Sequence, residues 1–325
     1  MRLLLVPILA GCAIAAPALA TDPAPPPLVA AGNVTAAVEG DAAASEAAFA
    51  PPPATLQQQI AQLTNYERAI CTSGCPLPPL KLVPLLLSVG NGHSHSMAIH
   101  DFFSHYDPTD GCSSPGERLS AAGYAYSNWA ENVAAGHATA AATMAQWMGS
   151  AGHRANILHP GMREIGVGFE GQPQDQANID LILNSDCDCT DTSMGETCSG
   201  GPWYYYWTQV FGVRNSVYPL VIAREAHLTA TGNVELHVYG PGTAIEMRFS
   251  NDGLNWSAWE PYDATTSHSL AAGDGLRTVY SQVRNSTTVY SGCDTIWRTG
   301  AGGDELFANG FDCEGWSAWS DVSLQ

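Results

Sequence analysis

The apolar residues of this chain change their period once, and that change limits the folds open to it. Up to about residue 150 they recur at helical spacing, and beyond about residue 164 they alternate. Ile60, Leu63, Tyr66 (or Glu67) and Ile70 predict a helix over 55–70. Leu82, Leu86, Val89, His93, Met97 and Phe103 predict a second over 82–103. Gly90-Asn91-Gly92 counts against that one, because glycine costs about 1 kcal/mol in a helix interior. Shorter helices follow at 115–122 and 139–150, and strands then fit 164–169, 178–183 and 204–211. Helices first and strands later make an α+β order, not a repeating βαβ one.

Beyond Ser216 the helical signal stops. Val234, Leu236 and Val238 alternate, as do Ile245, Met247 and Phe249, and then Val279 and Val283. Asn251-Asp252-Gly253 adds a hairpin signal, since glycine supplies the positive φ of a tight turn. Short alternating strands over 216–299 predict an all-β sandwich. Gly300–Gly303 reads as a break before an acidic tail, so 300–325 falls outside both folded regions.

The flanks point to export. Residues 1–20 hold Arg2, an apolar run and Ala18-Leu19-Ala20, the pattern of a cleavable signal peptide. Leu9-Ala10-Gly11-Cys12 offers the alternative of processing at Cys12 with a lipid anchor there. Residues 21–54 are rich in Ala and Pro and read as a disordered linker. No later stretch is long and apolar enough for a transmembrane span. Setting Cys12 aside leaves eight cysteines, an even number that suits disulfides in a secreted or cell-surface protein. Cys71 and Cys75 are close enough to pair locally, whereas Cys187 and Cys189 call for different partners. The net charge of −19 excludes nucleic acid as the partner of the whole molecule.

Chemistry concentrates in one stretch. Seven of the ten histidines, from His93 to His159, fall within 67 residues. No HExxH and no zinc-finger pair of C-x-x-C accompanies them. Around them run Asn65-Tyr66-Glu67-Arg68, His93-Ser94-His95-Ser96-Met97-Ala98, Phe102-Phe103-Ser104-His105 and Ala130-Glu131-Asn132-Val133. The segment 147–158, with Gly152-His153-Arg154-Ala155-Asn156, follows, then Gly166-Val167-Gly168-Phe169 and Trp207-Thr208-Gln209-Val210-Phe211-Gly212. In this order the blocks resemble the CAP superfamily of cysteine-rich secretory, antigen 5 and pathogenesis-related proteins, also called SCP domains, in its bacterial form.

That resemblance, over 55–215, implies an α-β-α sandwich with a groove where histidines and acids converge and can hold a divalent metal such as zinc. Matched position by position, His105 and His153 are the groove histidines and Glu131 the acid, making these three the expected metal residues. A further acid that fuller family members carry after the Trp of the fourth helix is replaced here by Met148-Gly149-Ser150. Glu131, His153 and Ser150 are the catalytic candidates of a rival hydrolase reading, either metal-assisted or of the serine type. In a third reading, hydrogen bonds from His105 and His153 to Glu131 only close the fold. The expected function is a non-enzymatic extracellular module binding a small lipid, sterol, glycan or protein ligand, with structural adhesion as another alternative.

His93, Met97 and His100 share a helix face and are expected to pack. The acidic run Asp186–Asp191 lacks the glycine and closing glutamate of a calcium loop, so it reads as a disulfide-tied insertion. Trp256-Ser257-Ala258-Trp259 and its neighbours resemble the Ig-like or fibronectin-like domains appended to exported bacterial proteins, with core packing and edge covering preferred over glycan binding for the aromatics.

Overall fold

A computed structural model describes residues 53–182, 185–187 and 199–300. The leader, nearly all of the linker, Cys12, Asp188–Asp191, Cys198 and the tail beyond 300 lie outside the described residues. Helix α1, Leu56–Ile70, starts where Thr55 and Gln58 cap each other's backbone N–H groups. Its buried stripe is Ile60, Ala61, Thr64, Asn65 and Arg68, while Tyr66 and Ile70 are exposed, contrary to expectation. The sequence misleads here because the inward polar residues hydrogen-bond backbone groups. Arg68, for one, donates to the carbonyls of Pro78, Ile157 and His159 at 2.8–2.9 Å.

The expected helix over 82–103 is three elements. Strand β1, Lys81–Leu82, precedes helix α2, Pro84–Ile99, and strand β2, Phe102–Phe103, follows it. Proline at the first turn of α2 sets that boundary. Gly90 does not interrupt the helix: a Cβ there would sit 2.8 Å from the Gly168 nitrogen, and one on Gly168 would sit 2.0 Å from the Gly90 carbonyl oxygen. The glycines therefore let α2 lie backbone to backbone on strand β4, Glu164–Gly171.

Helix α3, Pro115–Ala121, strand β3, Tyr126–Ala135, and helices α4, Ala140–Gly149, and α5, Ala151–Ile157, complete the helical part. The central sheet orders β1-β4-β7-β3, where β7 is Tyr205–Arg214 and the β1–β4 pairing is parallel. Both faces of β7 are covered. Trp207 and Phe211 enter a core with Ile60, Met144 and Trp147 of α1 and α4, while Tyr206 and Val210 face the cores built on α2. Three layers, α-β-α, result. Strands β5, Ile179–Leu181, and β6, Ser199–Gly200, extend β2 into a small side sheet. Disulfides join Cys71 to Cys75 and Cys112 to Cys187.

From residue 216 the described chain is strand-rich. Strands β8 (Leu220–Ile222), β10 (Asn233–Val238) and β13 (Thr265–Ser269) form one sheet. A second contains β9 (Leu228–Thr229), β11 (Glu246–Ser250), β12 (Glu260–Pro261), β14 (Gly275–Arg284) and β15 (Val289–Arg298). Leu236 and Val238 of one sheet share a core with Met247, Val279 and Ile296 of the other.

This strand lobe is locked onto the helical lobe. Asn65 donates to the Leu80 and Arg224 carbonyls and accepts from the Leu80 N–H, at 2.7–3.1 Å. Arg224 donates to the carbonyls of Asn65 and Leu77, and the Tyr239 hydroxyl donates to that of Pro79. His237 of β10 lies beside this junction, where burial and the guanidinium groups of Arg224 and Arg68 pull its pKa down to about 4. A histidine depressed in the folded state binds its proton more readily when unfolded, so its contribution is present above about pH 6.5 and lost as pH falls toward 4. Partial solvent screening brings the expected loss to about 2 kcal/mol. Urea unfolding between pH 7 and pH 4 checks this, with His237→Phe expected to remove its share of the dependence and leave the part due to His153, which is depressed likewise.

Candidate functional site

Three elements converge on Glu131. Strand β3 carries this acid inward, where its side chain is 1% exposed. The chain leaving β2 delivers His105, whose Nδ1 lies 2.9 Å from Glu131 Oε1. Helix α3, begun by the reciprocal cap of Ser114 and Glu117, brings Arg118 to the other oxygen. Arg118 Nη2 donates to Glu131 Oε2 at 2.8 Å, and Nη1 donates to the carbonyls of His105 and Ser113. Burial pushes the Glu131 carboxyl up, but Arg118 and the His105 hydrogen bond more than offset it and hold the group near a pKa of about 2. Both carboxylate oxygens are thereby engaged.

His105 follows β2 in an irregular segment. It is one-third exposed, and its Nε2 takes no hydrogen-bond partner among the described residues. His153 lies in helix α5. Its Nδ1 is buried and unpartnered among the described residues. Burial, and next the proximity of His105, pull the His153 pKa down to about 4, so its ring is neutral at pH 7 with one nitrogen lone pair available.

A buried polar chain fixes α5 against β3. Asn156 Nδ2 donates to the Glu131 carbonyl and to Asn132 Oδ1, and Asn132 Nδ2 donates to the His153 carbonyl and to Gln209 Oε1. Gln209 Nε2 closes the chain on Thr64 Oγ1 at 2.7 Å. His93, on α2, bonds the Ser104 carbonyl through Nε2 at 2.8 Å and so supports the segment that carries His105. His93 and Met97 are buried, as expected, but His100 is exposed at the end of α2.

Ser150 precedes α5 as its N-cap residue without a side-chain cap bond, and no hydrogen bond links it to His153 among the described residues. Also among the described residues, no three His, Cys, Asp or Glu side chains form a group set to hold a metal ion. Arg118 is the site residue the sequence reading missed. Its signal is the Ser114-Pro115-Gly116-Glu117 helix start, which puts a lone arginine one turn into a helix facing Glu131.

Residues 61–211 match the model of the cysteine-rich secretory protein family, CAP. Over these residues the chain is similar to a CAP domain. The uncharacterized protein YkwD of Bacillus subtilis is 35% identical over 113 residues, which are 35% of this chain and 42% of that protein. The chain thus spans about two fifths of the curated relative it matches. An extracellular protein containing an SCP domain from Bacillus anthracis is 26% identical, with a TM-score of 0.35, over 50% of this chain and 45% of that one. An outer surface protein from Borrelia burgdorferi is 13% identical, with a TM-score of 0.35, over 51% of this chain and all of its own. The CAP match takes in His105, Glu131 and His153 as well as Arg118, and it ends before the strand lobe.

Proposed function

We propose that the CAP domain uses His105 and His153 to hold a divalent cation in an exported protein that binds a small lipid, sterol or glycan ligand without turning it over. The uncommitted nitrogens carry this reading: both imidazoles keep one free of protein partners, while the oxygens of Glu131 are taken by His105 and Arg118. The donor chemistry fits zinc, which accepts neutral imidazole and tolerates open positions. Glu131 then acts behind the metal, fixing the ring of His105 so that Nε2 faces outward from the hydrogen bond. When bound, the cation supplies a Lewis-acidic positive charge to an oxygen of the ligand. Arg118 keeps Glu131 ionised, and the Asn132–Asn156 bridge holds α5, with His153, against β3.

The serine-type form of the hydrolase alternative needs a nucleophile in contact with its base, and Ser150 makes no hydrogen bond to His153 among the described residues. The strand lobe is proposed to be an Ig-like sandwich.

Calorimetric titration of the metal-stripped full chain with zinc tests the site. One equivalent is expected to bind. Glu131→Gln, which disturbs the orienting bond, is expected to weaken binding by about 10–100-fold. His105→Ala with His153→Ala is expected to abolish it, and unchanged binding by that double variant would overturn the assignment.

A further inference from the structure

Lys81 is the only lysine in the chain, and it is held between two acids at the lobe junction. Its Nζ lies 2.5 Å from Asp294 Oδ1 on β15 and 3.0 Å from Glu225 Oε1. The three side chains are 17%, 2% and 11% exposed. Asp294 Oδ2 accepts the Ile222 N–H at 2.6 Å, and Glu225 Oε1 also accepts the Leu82 N–H at 3.2 Å. Glu225 is aimed at Lys81 by a turn in which Ala223, Arg224 and Glu225 have φ of 43°, 57° and 66°. Three successive non-glycine residues in left-handed conformation cost about 1–2 kcal/mol each, a strain kept here to point one carboxyl at one amine.

We propose that Lys81 and Asp294 condense, with Glu225 as proton carrier, into an amide that ties β1 of the helical lobe covalently to β15 of the strand lobe. The ammonium first passes a proton to Oδ1 of Asp294. The freed amine lone pair then attacks Asp294 Cγ, and the N–C bond forms as negative charge collects on Oδ2. The Ile222 N–H already points at that oxygen and stabilises the charge. Glu225 takes a second proton from the nitrogen and delivers a proton to Oδ1, which leaves with the electron pair of the broken C–O bond as water. An ammonium and a carboxylate become an amide and one water, with no oxidant or reductant.

Several features favour the step. Holding amine and carboxyl together replaces a bimolecular encounter by a unimolecular one. Burial, with the Asp294 carboxylate beside it, raises the Glu225 pKa, which suits this acid to carrying a proton. Burial by itself would also strip Lys81 of its proton, but Asp294 and Glu225 outweigh it and raise its pKa, which makes the first proton transfer the uphill part. The neutral product removes the desolvation cost of a buried ion pair. It keeps both hydrogen-bonding partners, because Oδ2 still accepts from Ile222 and the new N–H donates to Glu225. A cavity of about 660 Å³ bordered by Lys81, Glu225, Asp294 and Trp297 gives the water a way out.

Mass spectrometry of the reduced, unfolded full chain decides the matter. The chain is expected to be lighter by one water than the sequence with the same N-terminus. A digest is expected to yield a branched peptide joining the segments around Lys81 and Asp294. In denaturant, an amine-directed acylating reagent is expected to modify the α-amino group but not Lys81. Asp294→Ala and Glu225→Ala are each expected to restore the full mass and the reactivity of Lys81. Full mass, linear peptides and a reactive Lys81 in the wild-type chain would overturn the proposal, whether or not either variant folds.

Discussion

Replacing Glu131 by Ala is expected to lower the unfolding free energy by about 3–5 kcal/mol, the range for breaking a buried ion pair from one side. Arg118, whose side chain is only 10% exposed, would keep its charge and lose its sole carboxylate partner among the described residues. His105 would lose the bond that orients its ring. Glu131→Gln keeps the volume and one acceptor, so its loss should be clearly smaller. Urea unfolding of the two variants at pH 7 makes the comparison. A loss under about 1 kcal/mol for Glu131→Ala would mean that water replaces the carboxylate at no cost, against the usual penalty for an uncompensated buried charge.

Asn65→Ala is expected to cost about 3 kcal/mol, because one truncation orphans the Leu80 N–H, the Leu80 carbonyl and the Arg224 carbonyl. Asn65 is fully buried, so water reaches these groups only if the lobes part. Amide hydrogen exchange gives the sharper test. The Leu80 amide should exchange much faster in the variant, while the amides of β7, in the middle of the central sheet, should be slowed as before. Equal acceleration at both places would point to general destabilisation instead of a local opening at the junction.

The ordered blocks around His105, Glu131 and His153 made the helical lobe legible, since each block supplies a contact that the fold needs. Asn132, Asn156 and Gln209 are the buried polar chain, and Gly166 and Gly168 are where α2 meets β4. Strand β3 was not legible as a strand. Its run Ala130-Glu131-Asn132-Val133 is poor in the β-branched and aromatic residues that favour one, and pairing with β7 imposes the conformation. The inner face of α1 was misjudged for a related reason, because periodicity counts apolar residues while this helix turns Asn65 and Arg68 inward. The junction left no periodic trace at all. Lys81, Glu225 and Asp294 are far apart in sequence, and only the meeting of β1, the turn after β8 and β15 brings them together.

The dovetailing of Asn65, Lys81 and Arg224 bears on how this molecule should be handled at the bench. A polypeptide stopped at residue 215 would keep every groove residue yet lay bare a lysine deprived of both its acids and an asparagine short of one acceptor. Ligand screens on such a truncated preparation would sample a raw, newly wetted flank, so the groove is best assayed in polypeptides that retain the strands through residue 299.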